Sequence, residues 1–175
     1  NFGGQVMMTS QNWRNGTGRV AEAVQTLPGR AGIVVNLRGD APLHPPWFIT
    51  TLIDEMKGDS TVEMATPVLR CDGLTLNMFR EDRRNGRVGG TTAVFDQNSD
   101  ALYFSKEVLP FTDKTYADDE QTPVYHHVGA YAYRPTSLAR YIRWPERSLE
   151  RLEGLEQLRL LEHGVKIRCV LVDAQ

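Results

Sequence analysis

Apolar side chains at Val20, Ala23, Val24 and Leu27 recur at the spacing of one helix face and predict a short amphipathic helix over residues 17–27, ended by Pro28 and Gly29. The β-branched run Ile33-Val34-Val35-Asn36-Leu37 follows, continuous enough to predict a strand covered on both faces, as in a parallel α/β sheet. Past Pro45 and Pro46, the positions Ile49, Leu52, Ile53 and Met56 mark one face of a second helix, and residues 62–69 read as a second strand. Residues 70–87 are rich in Arg, Asp and Asn without an apolar period, which predicts a long connection or a mobile insertion.

In the second half, residues 91–95 and 101–104 flank the turn-rich Asp96-Gln97-Asn98-Ser99-Asp100 and predict a hairpin. Residues 126–133 alternate as one strand, and Pro135-Thr136-Ser137 opens a helix whose apolar face includes Leu138, Tyr141 and Ile142. A longer helix is predicted from an N-cap at Ser148, with Leu152, Leu155, Leu158 and Leu161 along one side and Gly164 as its stop, before a strand over 167–172. Strands alternating with helices, plus one hairpin and no internal repeat, indicate an α/β fold with a mixed sheet.

At 175 residues and 41% hydrophobic side chains, the chain can bury one sizeable core, so a single domain over 1–175 is expected. Its 20 basic and 22 acidic side chains give a net charge of -2, which leaves no field to hold nucleic acid. No apolar run is long enough to cross a bilayer, and Asn1-Phe2-Gly3-Gly4 has neither region of a signal peptide, so a cytoplasmic protein without membrane partners is expected. The opening residues up to Val6 read instead as a turn entering a short strand, so the chain is expected to begin inside its domain. Cys71 and Cys169 lack metal-ligand spacing and disulfide-framework density, and are expected as reduced thiols.

Ligands of open α/β sheets bind beyond the carboxyl ends of strands, where Arg38-Gly39-Asp40 falls. The Asp40 carboxylate either holds Mg²⁺ together with substrate phosphates or caps a turn before Pro42. An adhesion role for this Arg-Gly-Asp triplet needs an exposed loop tip, whereas here it closes a core strand. Asn15-Gly16-Thr17-Gly18-Arg19 enters a helix and serves either an anion or the helix cap alone. His127, Gly129, Tyr131 and Tyr133 share one strand face, suited either to a polyhydroxylated ligand or to core packing. Glu156 and Gln157 flank the leucine stripe, where they accept sugar hydroxyls or merely face solvent.

In order and nearly in spacing, these segments resemble the CMP-Kdo synthetase (3-deoxy-D-manno-octulosonate cytidylyltransferase) family. Met8-Thr9 through Gly16-Thr17 and Arg19 is similar to its Ser-Gly-Thr-acid-Arg segment, and Asn36-Leu37-Arg38-Gly39-Asp40-Ala41-Pro42 to its Asn-Val-Gln-Gly-Asp-Glu-Pro. Ala101-Leu102-Tyr103-Phe104-Ser105-Lys106 resembles its Ala-Leu-Tyr-Phe-Ser-Arg. The pattern continues through His127-Val128-Gly129-Ala130-Tyr131-Ala132-Tyr133-Arg134, Leu155-Glu156-Gln157-Leu158-Arg159 and Gly164-Val165-Lys166-Ile167, leaving out only residues 70–90.

The resemblance implies a nucleotide-diphosphosugar-transferase-like (Rossmann-like) fold, usually dimeric, that uses CTP, Mg²⁺ and a 3-deoxy-2-ulosonic acid in the synthesis of bacterial surface polysaccharide. Asp40 matches the metal-binding aspartate, His127, Tyr131, Glu156 and Gln157 the sugar-acid pocket, and Gly16, Thr17 and Arg19 the nucleotide segment. Arg38 stands where the family has glutamine and Lys106 where it has arginine; with Asp40 they form the expected catalytic set, neutralising charge during transfer. Further departures are Asn15 for serine, Gly18 for an acid, and Thr91-Thr92-Ala93-Val94 for Val-Lys-Val-Val. The family's basic triphosphate loop and its carboxy-terminal aspartate have no counterpart in the 175 residues, so the resemblance implies a domain incomplete at both ends. A homodimer is expected from the resemblance and from the aromatic strand 125–133, read as an exposed edge. The alternative is a catalytically degenerate relative that binds a nucleotide or sugar acid without turnover.

Overall fold

The computed structural model describes residues 3–27, 29, 31–38 and 45–173. Helix α1 (Gly16–Thr26) starts where the Asn15 side chain accepts the Gly18 amide at 2.9 Å. Strand β1 (Val34–Leu37) and helix α2 (Pro46–Gly58) follow, the latter with proline at its first turn and Phe48, Leu52 and Met56 buried. Next come β2 (Met64–Asp72), α3 (Gly73–Arg84) and the hairpin β3 (Thr91–Phe95) and β4 (Ala101–Ser105). The chain then runs through β5 (Gln121–His127), β6 (Ala130–Tyr133), α4 (Pro135–Tyr141), α5 (Ser148–Glu153), α6 (Gln157–Glu162) and β7 (Ile167–Leu171).

The described strands form one mixed sheet in the order β1-β6-β2-β5-β3-β4, with β7 on β2. Only the β2–β7 pair is parallel among them. Because side chains alternate along β2, Met64 and Val68 join the larger core with Tyr133, Leu138, Leu158 and Ile167, while Ala65 turns to Leu52 and Met56 of α2. Helices thus cover both faces, the α/β architecture that the alternation of elements predicts. The turn of the β3–β4 hairpin reaches β7, where Arg168 pairs with Asp100 and with Glu55 and Asp59 of α2. No helix among the described residues is long and apolar enough to cross a membrane.

Several local expectations are corrected. Strand β1 pairs antiparallel with β6 and is only partly buried, because a segment nearly a hundred residues later inserts between it and β2. Residues 73–84 are helix, not connection: Asp72 caps it through the Thr75 amide at 2.8 Å, and only the narrow stripe of Gly73, Leu76 and Phe79 is buried, so its composition mimics a loop. The strand expected over 126–133 is two strands, interrupted where Val128 donates to Pro67 O and accepts from Ala130 N.

The helix expected from Ser148 to Gly164 is broken. Gly154 adopts φ +63°, a left-handed conformation that L side chains rarely take, and its amide closes α5 on Glu150 O at 2.7 Å. Leu152 is therefore 81% exposed, while Leu158 and Leu160 are buried. Arg147, not Ser148, occupies the N-cap. The aromatic strand is interior, β5 lying between β2 and β3 and β6 between β1 and β2, so it offers no edge to a second copy. Val6 lies outside any strand and is exposed. Both cysteines are free and buried, as expected of reduced thiols.

Candidate active site

Two cavities adjoin beyond the carboxyl end of β1. The first, about 540 Å³, runs from Arg14, Gly16 and Arg19 across Asn36 to Glu156 and Gln157. The second, about 560 Å³, lies among Gly90, Lys106, His126 and His127. Arg38, Tyr131, Gly154 and Leu155 line both, which makes one cleft with Arg38 and Tyr131 at its waist.

Of the residues expected from the sequence, Gly16, Arg19, Arg38, Tyr131, Glu156 and Gln157 share the first cavity, and Lys106 and His127 join Arg38 and Tyr131 in the second. Asp40 lies outside the described residues. Thr17 stands behind the wall: its hydroxyl pairs with Tyr133 Oη at 2.9 Å, and its amide donates to Glu156 Oε2 at 3.0 Å. Glu156 thus satisfies one of the open amides at the start of α1, and its negative charge suits that end of the helix. Because Gly154 breaks the helix, Glu156 and Gln157 stand at the start of α6 instead of flanking a long leucine stripe, Glu156 against α1 and Gln157 against Tyr131 of β6.

The Tyr131 hydroxyl donates to Gln157 Oε1 at 3.3 Å. Burial, and then the nearby Glu156 charge, push the Tyr131 phenol well above its ordinary pKa, so it works as a neutral donor. His127 is pushed down to about 3 by burial, reinforced by the positive charges of His126 and Arg38. Its Nε2 meets Thr66 Oγ1 at 3.0 Å and its Nδ1 meets Thr91 Oγ1 at 3.1 Å. The single Thr66 hydroxyl proton has carbonyl acceptors on Val128 and Ala130, so Nε2 carries the imidazole proton and Nδ1 accepts from Thr91. Both ring nitrogens are then engaged, and His127 shapes the cavity by packing its ring 5.7 Å from that of Tyr131.

Cations dominate the rest of the cleft. Arg14, Arg19 and Arg38 are exposed around the first cavity, where Glu156 is the only acidic lining residue among those described. Arg19 is steadied by Thr9 Oγ1 and by the Trp13 carbonyl. Lys106 Nζ lies 3.0 Å from the point where a Cβ on Gly154 would stand, so the glycine also makes room for the ammonium. Guanidinium groups suit phosphate or carboxylate, while the amides and phenol at the waist suit hydroxyls. Among the described residues no cluster of three or more His, Cys, Asp or Glu is placed to hold a metal ion.

A family model described as cytidylyltransferase matches residues 1–167. The chain belongs to the cytidylyltransferase family. The chain is 44% identical over 171 residues to a 3-deoxy-manno-octulosonate cytidylyltransferase of Maricaulis maris (strain MCS10), covering 98% of this chain and 65% of the relative. A relative of the same description from Chlamydia felis (strain Fe/C-56) is 37% identical over 174 residues, covering 99% of this chain and 63% of its own. The solved structure of a CMP:2-keto-3-deoxy-manno-octonic acid synthetase complexed with CTP superposes with a TM-score of 0.81 at 32% identity, over 99% of this chain and 66% of that one. The chain thus spans slightly less than two thirds of the length of these relatives.

Arg14, Asn36 and Gly154 also line the cleft, beyond the residues expected from the sequence. Asn36 had a signal, an amide in the middle of an apolar β-branched run, whereas Gly154 is meaningful only once its φ is known.

Proposed function

We propose that the protein transfers CMP from CTP to a 3-deoxy-2-ulosonic acid, with 3-deoxy-D-manno-octulosonate (Kdo) as the first candidate, and releases pyrophosphate. The anomeric hydroxyl of the sugar attacks the α-phosphorus and gives up its proton to solvent; a new P–O bond forms as the bond to the β-phosphate breaks, and pyrophosphate leaves with that electron pair. The observation that carries this reading is the single cleft in which cationic walls meet the Tyr131–Gln157 pair at a shared waist. The CTP-bound structure to which the fold is similar supports it.

Gly16 and Arg19 serve the nucleotide at the start of α1, with Thr17 holding that turn to Tyr133 and Glu156. Arg38 and Lys106 neutralise phosphate and carboxylate charge, and Tyr131, Glu156 and Gln157 orient the sugar acid in a cavity whose wall His127 supports. Such transfers depend chiefly on positioning and charge neutralisation. Mg²⁺ is bound by one or two carboxylates with substrate phosphates, and when present supplies charge neutralisation at the phosphates. The carboxylate assigned to Mg²⁺ is Asp40, two positions beyond Arg38 in sequence, as the family resemblance implies. A homodimer, which rests on the family resemblance, and a cytoplasmic location are both part of the proposal.

The test is pyrophosphate release by the full-length protein with CTP, Mg²⁺ and a panel of sugar acids, alongside calorimetry with CTP. Release that depends on CTP and on a 3-deoxy-2-ulosonic acid is expected. Binding of CTP without release would favour a degenerate binding protein, a reading that the departures at Arg38 and Lys106 motivate.

A further inference from the structure

Two buried side-chain nitrogens that lack a hydrogen-bond partner, Asn36 Nδ2 and Gln157 Nε2, belong to side chains lining the same cavity. Asn36 is 5% exposed and Gln157 1%. Buried amides are normally satisfied, so open ones facing a cavity mark places where a ligand completes the bonding. Gln157 is already part of the pair with Tyr131. Asn36 belongs to no part of the function described above.

Asn36 sits opposite Tyr131 in the β1–β6 register. Its Nδ2 lies 3.5 Å from where a Cβ on Gly16 would stand, and Glu156 Oε1 lies 3.9 Å from the same point. The bare Cα of Gly16 therefore places no side chain over the Asn36 amide, and both residues line the first cavity. Around it are a phenol, a second amide and a carboxylate, while the exposed guanidinium groups stand at the rim. Anions are best met at that partly solvated rim, and a neutral group that both donates and accepts is best met among the buried polar atoms. A hydroxyl is such a group. Exchanging the oxygen and nitrogen of the amide only changes which role the hydroxyl plays.

We propose that Asn36 is a specificity-determining residue, whose amide holds one hydroxyl of the sugar acid at the buried end of the first cavity. This rests on the transfer reaction proposed above. Loss of the amide removes discrimination at one position of the sugar and leaves the nucleotide's contacts alone.

The experiment compares the full-length wild type with Asn36→Ala and Asn36→Thr, the threonine variant introducing a β-branched side chain suited to a strand. Each is assayed for pyrophosphate release with Kdo and with analogues lacking one hydroxyl in turn. The variants are expected to lose about tenfold to a hundredfold in kcat/KM for Kdo, with KM for CTP changed by less than about twofold. One analogue should be about as poor for wild type as Kdo is for the variants, and should show no further loss in them. Unchanged kcat/KM for Kdo in either folded variant, a rise in KM for CTP instead, or equal further losses with every analogue would each overturn the assignment. No release by wild type with any sugar acid would remove the transfer reading itself, and this inference with it.

Discussion

The six-membered ring of Trp13 lies 2.6 Å from the point where a Cβ on Gly18 would stand. The indole is fixed there, because its Nε1 donates to Glu22 of α1. Alanine replacing glycine within a helix ordinarily stabilises by about 0.5–1 kcal/mol, whereas overpacking costs about 1–3 kcal/mol. The steric effect is the larger, so Gly18→Ala should destabilise the wild type. In a Trp13→Ala background the same change should stabilise. Urea denaturation of the four proteins tests this reversal of sign, and the same sign in both backgrounds would rule out the contact.

Tyr131→Phe removes the one hydroxyl that pairs with Gln157. A buried amide left without its partner costs about 1–3 kcal/mol, which predicts a lower melting temperature but a folded protein. If the pair also orients the sugar acid, kcat/KM for that substrate should fall by about tenfold or more, with KM for CTP unchanged. Parallel steady-state assays with each substrate varied separate the two effects. A variant that loses stability alone would assign the pair to the core.

Asp40→Asn keeps the side chain's shape and removes its charge. Metal-assisted neutralisation of developing phosphate charge contributes several kcal/mol, so turnover in the full-length protein should fall by about two orders of magnitude or more. Asparagine also caps turns, so the melting temperature should barely move. Pyrophosphate release at saturating CTP and Mg²⁺ is the measurement. Equal rates would leave Asp40 as a turn residue.

His127 ties the acid stability of the fold to its burial. Its pKa is about 3 in the folded protein, against an ordinary imidazole value of about 6.5, so unfolding takes up a proton between those two values. The stability is fully present above about pH 6.5 and is lost as pH falls toward about 3, by about 1.4 kcal/mol per pH unit at this site. Burial of His126 also lowers its pKa and adds in the same direction. His127→Gln should make the decline between about pH 6 and pH 4.5 shallower by about one proton's worth. Urea denaturation across that range decides it, and parallel slopes for the two proteins would contradict a neutral buried His127.

The sequence alone determined the elements whose signals are local. The apolar period of α1 and α2, the turn-rich hairpin β3–β4 and the glycine after α6 are each legible within a few residues, since helix faces and turn chemistry depend on near neighbours. The motifs around Gly16, Asp40, Tyr131 and Gln157 carried the family. Tertiary structure decided what depends on distant segments. It inserted β6 between β1 and β2, which made β1 an edge among the described strands and took the aromatic strand inside. It made a helix of residues 73–84, because burial of little more than Leu76 and Phe79 suffices when β2 and β5 supply the opposing surface. It also broke the leucine-bearing segment with a turn at Gly154, setting Glu156 against the Thr17 amide of α1 and Gln157 against Tyr131 of β6. Only that turn brings residues 16, 36, 131 and 157 around one cavity, since a cavity is a property of how elements pack and no single segment encodes it.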